Sequence, residues 1–266
     1  MRRVIFNQKG GVGKSSITTN LAAICAKEGH KTLVVDLDEQ CNASQYLMGG
    51  EVDDSKLNIA DFFDQFLAFR LTRRYPEDFI QHTAYNNLSV ICASPRLGEM
   101  QYRLEAKHKI FKLRDALVQL APKYDFMFID TPPAFNFYTL SALIAADGCL
   151  IPFDCDAFSR RALYTLLENV NEVRSDHNGQ LEVEGIVINQ FMDRAKLPRQ
   201  LVEDLQGEGL PVLNTKLSAS VKMKESHQQS KPLIYLDPNH KLTGEYQKLY
   251  RELFDRKSGV RRAGGR

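Results

Sequence analysis

One octapeptide restricts this chain more than any other feature. Lys9-Gly10-Gly11-Val12-Gly13-Lys14-Ser15-Ser16 follows the apolar run Val4-Ile5-Phe6 and precedes Ile17-Thr18-Thr19-Asn20-Leu21-Ala22-Ala23, a stretch of helical composition. Strand, glycine loop and helix in this order make a seat for phosphate. The glycines let successive backbone N–H groups turn toward one point, and the N-terminus of the helix adds partial positive charge. Lys14 is expected to reach the β- and γ-phosphates of a nucleotide, and the Ser15 hydroxyl to ligate Mg²⁺. Gln8 stands where the first glycine of G-x-x-x-x-G-K-[ST] would fall, so the loop fits the variant K-G-G-x-G-K-[ST] instead. A chance match to that variant has odds of roughly 10⁻⁴ in a chain of this length, and a glycine turn without a ligand is a poor competing account. Residues 9–16 are the expected nucleotide-binding segment.

The surrounding pattern agrees. Short runs rich in Val, Ile and Phe, near 2–7, 31–37, 88–92, 124–130, 148–153 and 182–189, alternate with stretches of helical period. The helices are predicted at 16–29, 58–70, 97–121, 137–146, 159–176, 197–208, 218–228 and 241–256. Such alternation predicts an α/β fold with a doubly wound, mostly parallel sheet. Runs such as Tyr124-Asp125-Phe126-Met127-Phe128-Ile129 are continuously apolar, as expected when helices cover both faces. A single domain over 1–256 is predicted, with a basic, disordered tail over 257–266. Five cysteines without a C-x-x-C pair suit a reducing, cytoplasmic setting. No run approaches the ~18–20 apolar residues of a membrane span. The net charge of +2 marks no global nucleic-acid field, and the six histidines lack a metal-binding spacing.

Two acidic strand ends supply candidate metal and water ligands. The second strand ends Val35-Asp36-Leu37-Asp38-Glu39, and the 124–130 strand ends Ile129-Asp130-Thr131-Pro132-Pro133. Parallel strands deliver functional groups at their carboxyl ends. Asp130 is suited to a water of the Mg²⁺ shell and Asp36 to the metal; Asp36 and Asp38 alternate in direction, so only one is expected to point inward before the loop turns.

At these residues the chain resembles the ParA family of partition ATPases, within the deviant Walker A group that includes MinD and the nitrogenase iron protein. The resemblance rests on the glycine loop, on Val35-Asp36-Leu37-Asp38-Glu39-Gln40-Cys41-Asn42-Ala43, on Ile129-Asp130-Thr131-Pro132-Pro133 and on Lys231-Pro232-Leu233-Ile234-Tyr235-Leu236-Asp237-Pro238. It implies an ATPase that forms a homodimer when ATP is bound, with Lys9 reaching the partner's nucleotide, Asp38 orienting the attacking water and Asn189 contacting adenine. Lys9, Lys14 and Asp38 would be the catalytic set. Glu39 and Cys41 stand where the family usually has Pro and Gly, and Glu39 would add a carboxylate beside the water site.

The chain starts at its first strand, which matches the small form that lacks an N-terminal helix-turn-helix and binds DNA non-specifically. The resemblance places that surface near Lys222 and Lys224, with Arg194, Lys196, Arg199, Lys216 and Lys231 as further basic residues. A ParB-like or adaptor protein would stimulate hydrolysis, and the location would be cytoplasmic and nucleoid-associated. A MinD-like membrane-associated ATPase and a non-hydrolysing nucleotide sensor are the alternatives. No stable membrane anchor is expected, because Tyr246, Leu249, Tyr250, Leu253 and Phe254 form a stripe of the kind that packs into a core. An iron–sulfur ATPase is excluded by its ligands, since Pro132-Pro133 is followed by Ala134-Phe135-Asn136 and not by the cysteine such a family carries shortly after this motif.

Overall fold

The computed structural model describes residues 1–50, 52–53, 55–67, 72–155, 159–192 and 195–263, leaving out the side chains of 159 and of 255–263. Its strands are β1 Arg2–Ile5, β2 Thr32–Asp36, β3 Gln81–His82, β4 Leu88–Ile91, β5 Phe126–Asp130, β6 Gly148–Asp154 and β7 Glu182–Asn189. They form one sheet in the order β3-β4-β2-β5-β1-β6-β7, parallel throughout except for the short β3–β4 pair at one edge. The helices are α1 Lys14–Lys27, α2 Asn42–Met48, α3 Ile59–Asp64, α4 Leu97–Ala106, α5 Lys112–Leu120, α6 Phe137–Ala145, α7 Ser159–Asp176, α8 Lys196–Gly207, α9 Val221–Gln228, α10 Leu233–Leu236 and α11 Lys241–Ala263.

Side-chain alternation on the strands feeds two cores. Val4, Val35, Ile129 and Ile151 face α3 to α7 in one cluster, while Ile5, Val34, Phe128 and Leu150 face α1 and α11 in the other. Burial on both faces is why these strands read as unbroken apolar runs. On α11, Tyr246, Leu249 and Leu253 are buried and Tyr250 and Phe254 pack beside them. Each fully buried Leu of that stripe contributes about 1.5–3 kcal/mol, so the stripe belongs to the core.

All six predicted strands are present. The differences lie where local signals are weak. The predicted helix at 97–121 is two helices, because His108 between α4 and α5 adopts φ 51, a left-handed conformation that ends an α-helix. The predicted 58–70 helix ends at Asp64, and 68–70 lie outside the described residues. The 218–228 helix begins at Val221, where the Ser220 side chain caps it by accepting from the Lys222 N–H. The last helix runs past 256 to Ala263. Neither α2 nor β3 was predicted; both are too short for a periodic signal.

Candidate functional site

The glycine loop leads from β1, in the middle of the sheet, into α1. Gly11 and Gly13 take φ 77 and 91, a region that disfavours any side chain. The first α-type bond of α1 runs from Ile17 N to Gly13 O at 2.9 Å, so the N–H groups of Lys14, Ser15 and Ser16 stand at an open helix end. Asn7 shapes the entry: its Nδ2 donates to Pro152 O at 2.7 Å and its Oδ1 accepts from Lys9 N at 2.9 Å. Lys14 is buried and its Nζ donates to Lys9 O at 3.1 Å. Burial lowers its pKa, and Asp130 and Asp38 oppose that shift. Above the loop lies a cavity of about 540 Å³, walled by Asp38, by Asn42, Gln45 and Tyr46 of α2, by Pro133 and by His227 of α9.

The three predicted carboxylates separate into different tasks. Asp38 lines the cavity, with its Oδ1 accepting from Gln40 N at 3.1 Å. Burial raises its pKa, against Gln40 N–H and Lys14. Asp130 is fully buried at the end of β5; its Oδ1 accepts from Thr18 Oγ1 at 3.0 Å, and its Oδ2 has no hydrogen-bond partner among the described residues. Burial and the adjacent Asp36 push its pKa up, and the Ser15 and Thr18 hydroxyls pull it down. Asp36, expected at the metal, instead accepts from Ser44 N at 2.8 Å, Ser44 Oγ at 2.7 Å and Asp38 N at 3.0 Å. Its oxygens are spent on the β2–α2 loop and it does not line the cavity. Sequence spacing carries no sign of Ser44, whose backbone turn decides this.

A Mg²⁺–nucleotide fits these residues. An orphaned carboxylate oxygen on buried Asp130 beside Ser15 suits the shell of a hard cation. The free N–H groups at the start of α1 suit phosphate oxygens. A Cβ at Gly10 or Gly11 would meet nothing within 4 Å, so the rim is open to a ligand.

Asn189 sits beneath the loop. Its Nδ2 donates to Val12 O at 2.9 Å, and the next residue, Gln190, donates from Nε2 to Gly11 O at 2.9 Å. Two side-chain amides at the end of β7 thus clasp the glycine loop from below, an arrangement the sequence did not announce. Glu39 does not line the cavity; it lies against α4, with its Oε2 only 2.2 Å from where a Gly98 Cβ would be. The expected extra carboxylate at the water site is therefore absent from it. Cys41 holds φ 55 at the start of α2, a left-handed conformation that glycine adopts without the cost a side chain carries.

The basic candidates differ in their surroundings. Lys222 Nζ is engaged by Glu225 Oε2 at 2.7 Å and Asp237 Oδ2 at 3.8 Å, whereas Lys224 is exposed. Lys216 Nζ lies 4.5 Å from the centre of the Phe191 ring. Arg194 lies outside the described residues. Sequence reasoning missed His227, whose Nε2 shares a 2.9 Å hydrogen bond with Ser16 Oγ and whose ring meets Tyr46 edge-on at 5.1 Å. His227 is exposed, and the partial desolvation of its ring against the cavity lowers its pKa. Nothing in its local sequence marks it, since the contact spans 211 residues.

Fold and loop together define a P-loop nucleotide-binding protein of doubly wound architecture. A family model described as an AAA domain matches residues 3–183. The chain is 35% identical to the chromosome partitioning protein ParA of Myxococcus xanthus, covering 95% of this chain and 87% of that one. It is 31% identical to the sporulation initiation inhibitor protein Soj of Bacillus subtilis, covering 94% and 96%. The ATP complex of a McdA variant from Cyanothece superposes with a TM-score of 0.80 at 21% identity, covering 97% of this chain and 95% of that one, and shares the fold. The chain belongs to the ParA family of partition ATPases.

Proposed function

We propose that this chain is an ATP-driven switch that, with ATP and Mg²⁺ bound, closes into a homodimer, holds DNA without sequence preference and releases it after hydrolysis, so as to segregate DNA loci or position another large cargo. The observation that carries the reading is the division of labour between two lysines of one loop. Lys14 is turned in and buried, whereas Lys9 stands at the rim, its side chain 41% exposed and its Nζ 3.8 Å from Asp154 Oδ2 at the end of β6. Such a placement supports Lys14 serving the chain's own phosphates and Lys9 those of a second copy, neutralising phosphoryl charge as an arginine finger does.

Asp38 faces the cavity across from Lys14, and burial favours its taking a hydrogen bond from a water aligned on the γ-phosphate. That water adds to phosphorus as the bridging P–O bond breaks, releasing ADP and phosphate. Ser15 and, through water, Asp130 would hold Mg²⁺, which would supply charge neutralisation to the phosphates. Asp36 keeps the Asp38 loop in register, and Asn189 supports the glycine loop with its Nδ2. The capture of a McdA variant with ATP supports the choice of nucleotide. Lys224 is the preferred phosphate-backbone contact, with Lys222 second because its charge is already paired. A ParB-like or adaptor protein as the stimulating partner, a cytoplasmic, nucleoid-bound location and a single domain with a basic appendage at 257–266 belong to the same reading. Among the described residues no helix is long and apolar enough to cross a membrane.

Binding to random-sequence duplex DNA, measured without nucleotide and with ADP, ATP or a slowly hydrolysed analogue over a salt series, tests the proposal. Salt-sensitive binding is expected only with ATP forms, lost in Lys9→Ala; in Lys224→Ala the slope of log affinity against log salt should fall by about 0.9. Absence of DNA binding in every state would remove the DNA reading and leave the ATP switch standing.

A further inference from the structure

Ser16 is the third residue of α1, and its hydroxyl and free N–H both lie at the phosphate end of that helix. In the structure the hydroxyl is taken by His227 Nε2, from a helix more than two hundred residues further along the chain. We propose that His227 exchanges its Ser16 hydrogen bond for a phosphate oxygen when nucleotide binds, and so transmits occupancy of the site to α9. This rests on the reading of α9 as the DNA-facing helix for its consequence, though not for its mechanism.

The surroundings make α9 a lever with one fixed point and one ligand-sensitive point. The fixed point is Ser226, fully buried, whose Oγ donates to Lys231 O at 2.6 Å and hydrogen-bonds the Tyr46 hydroxyl. Asn20 of α1 completes that anchor: its Nδ2 donates to Tyr46 Oη at 3.2 Å and its Oδ1 accepts from Leu233 N at 2.8 Å. These bonds tie α9 to α1 and α2. His227, one residue on, faces the cavity, with its ring edge-on to Tyr46 and its Nε2 on Ser16. A phosphate oxygen is a charged acceptor, and hydrogen bonds to charged groups are roughly twice as strong as neutral ones. In the Nε2–H tautomer, in which the imidazole donates to Ser16 Oγ, an arriving phosphate draws both the Ser16 O–H and the imidazole N–H to itself. The pull is applied at the C-terminal turn of α9, while Lys222 and Lys224 occupy its first turn. Because every nucleoside di- or triphosphate brings a phosphate to this end of α1, ADP and ATP both move α9, and dimerisation is not needed.

The chain contains no tryptophan, so Val221→Trp, at the exposed first residue of α9, makes a single tryptophan that can be excited apart from the ten tyrosines. Titration of that protein with ADP·Mg²⁺ and with ATP·Mg²⁺ is expected to shift its emission in both cases. In the same background His227→Ala, saturated with a fluorescent ADP analogue, should lose the shift. His227→Gln, whose amide nitrogen reaches toward the same point, should regain part of it. For a DNA-binding protein, His227→Ala should also reduce the ATP-dependent gain in DNA affinity at least about fivefold, the lower end of ordinary site-to-site coupling. An undiminished shift in His227→Ala, no shift in the parent, no recovery in His227→Gln, or loss of nucleotide binding itself in His227→Ala each overturns the inference. The emission arms decide it even where no DNA binding is found.

Discussion

Gly13→Ala offers a test of the clasp beneath the phosphate loop, and its cost can be divided in advance. Gly13 has φ 91 and ψ 24, and a Cβ in left-handed backbone costs about 1–2 kcal/mol. That Cβ would also lie 2.2 Å from Asn189 Nδ2, so the amide must move and its 2.9 Å bond to Val12 O must break. Leaving the carbonyl of buried Val12 without that donor costs about 1–3 kcal/mol more. Gly→Ala recovers about 0.4–1 kcal/mol from the unfolded chain, which leaves about 1–4.6 kcal/mol for the single variant. Asn189→Ala breaks the same bond by itself, at about 1–3 kcal/mol. In that background Gly13→Ala meets no amide and adds only the backbone cost. The two substitutions should therefore be sub-additive by about 1–3 kcal/mol, or roughly 2–12 °C in Tm for a domain of this size. Thermal unfolding of the four proteins without nucleotide measures the cycle, and fluorescent ATP binding should fall in parallel for Gly13→Ala. Strict additivity of the melting temperatures would falsify the clasp, since two residues that do not touch have no reason to couple.

Two other interactions give independent predictions. Arg3 and Glu184 form a buried ion pair across Gly148, whose missing side chain makes room for the Glu184 carboxylate; Glu184→Gln or Arg3→Met alone should cost about 3–5 kcal/mol, whereas Arg3→Met with Glu184→Met should recover most of it. Chemical denaturation reads this, and a double variant as unstable as the sum of the singles counts against it. At the chain's start, Asp147 is half-buried and paired with Arg2. Burial alone would raise its pKa, but the Arg2 side chain and N–H hold it below the ordinary 3.8. A depressed carboxyl contributes stability that is present above the unfolded pKa and lost as pH falls through the folded one. The Tm gap between the parent and Asp147→Asn should therefore be constant from neutral pH down to about 5 and close below 3.8. A gap that persists at the acid end would show that the pair adds nothing through its charge.

Local chemistry carried much of this protein's design. The strand–glycine loop–helix order, the acidic strand ends and the apolar strand runs are short-range patterns, each set by backbone geometry within a few residues, and they sufficed for the parallel sheet and for bringing Lys14, Ser15 and Asp38 to one cavity. What they left open was settled by which partners the packed structure brought to each polar side chain. Asp36 and Asp38 are two residues apart and chemically identical, yet Ser44 captures one and leaves the other to the cavity. Glu39 is drawn to α4, Asn189 is directed to Val12 at a sequence separation of 177, and His227 is brought to Ser16 at a separation of 211. A side chain's partner is whichever donor or acceptor the packed sheet and helices present to it, and burial makes that choice costly to refuse. Sequence alone therefore determined the fold and the phosphate seat, whose physics is local, and only the tertiary structure decided which polar side chains face the nucleotide and which hold the loops that do.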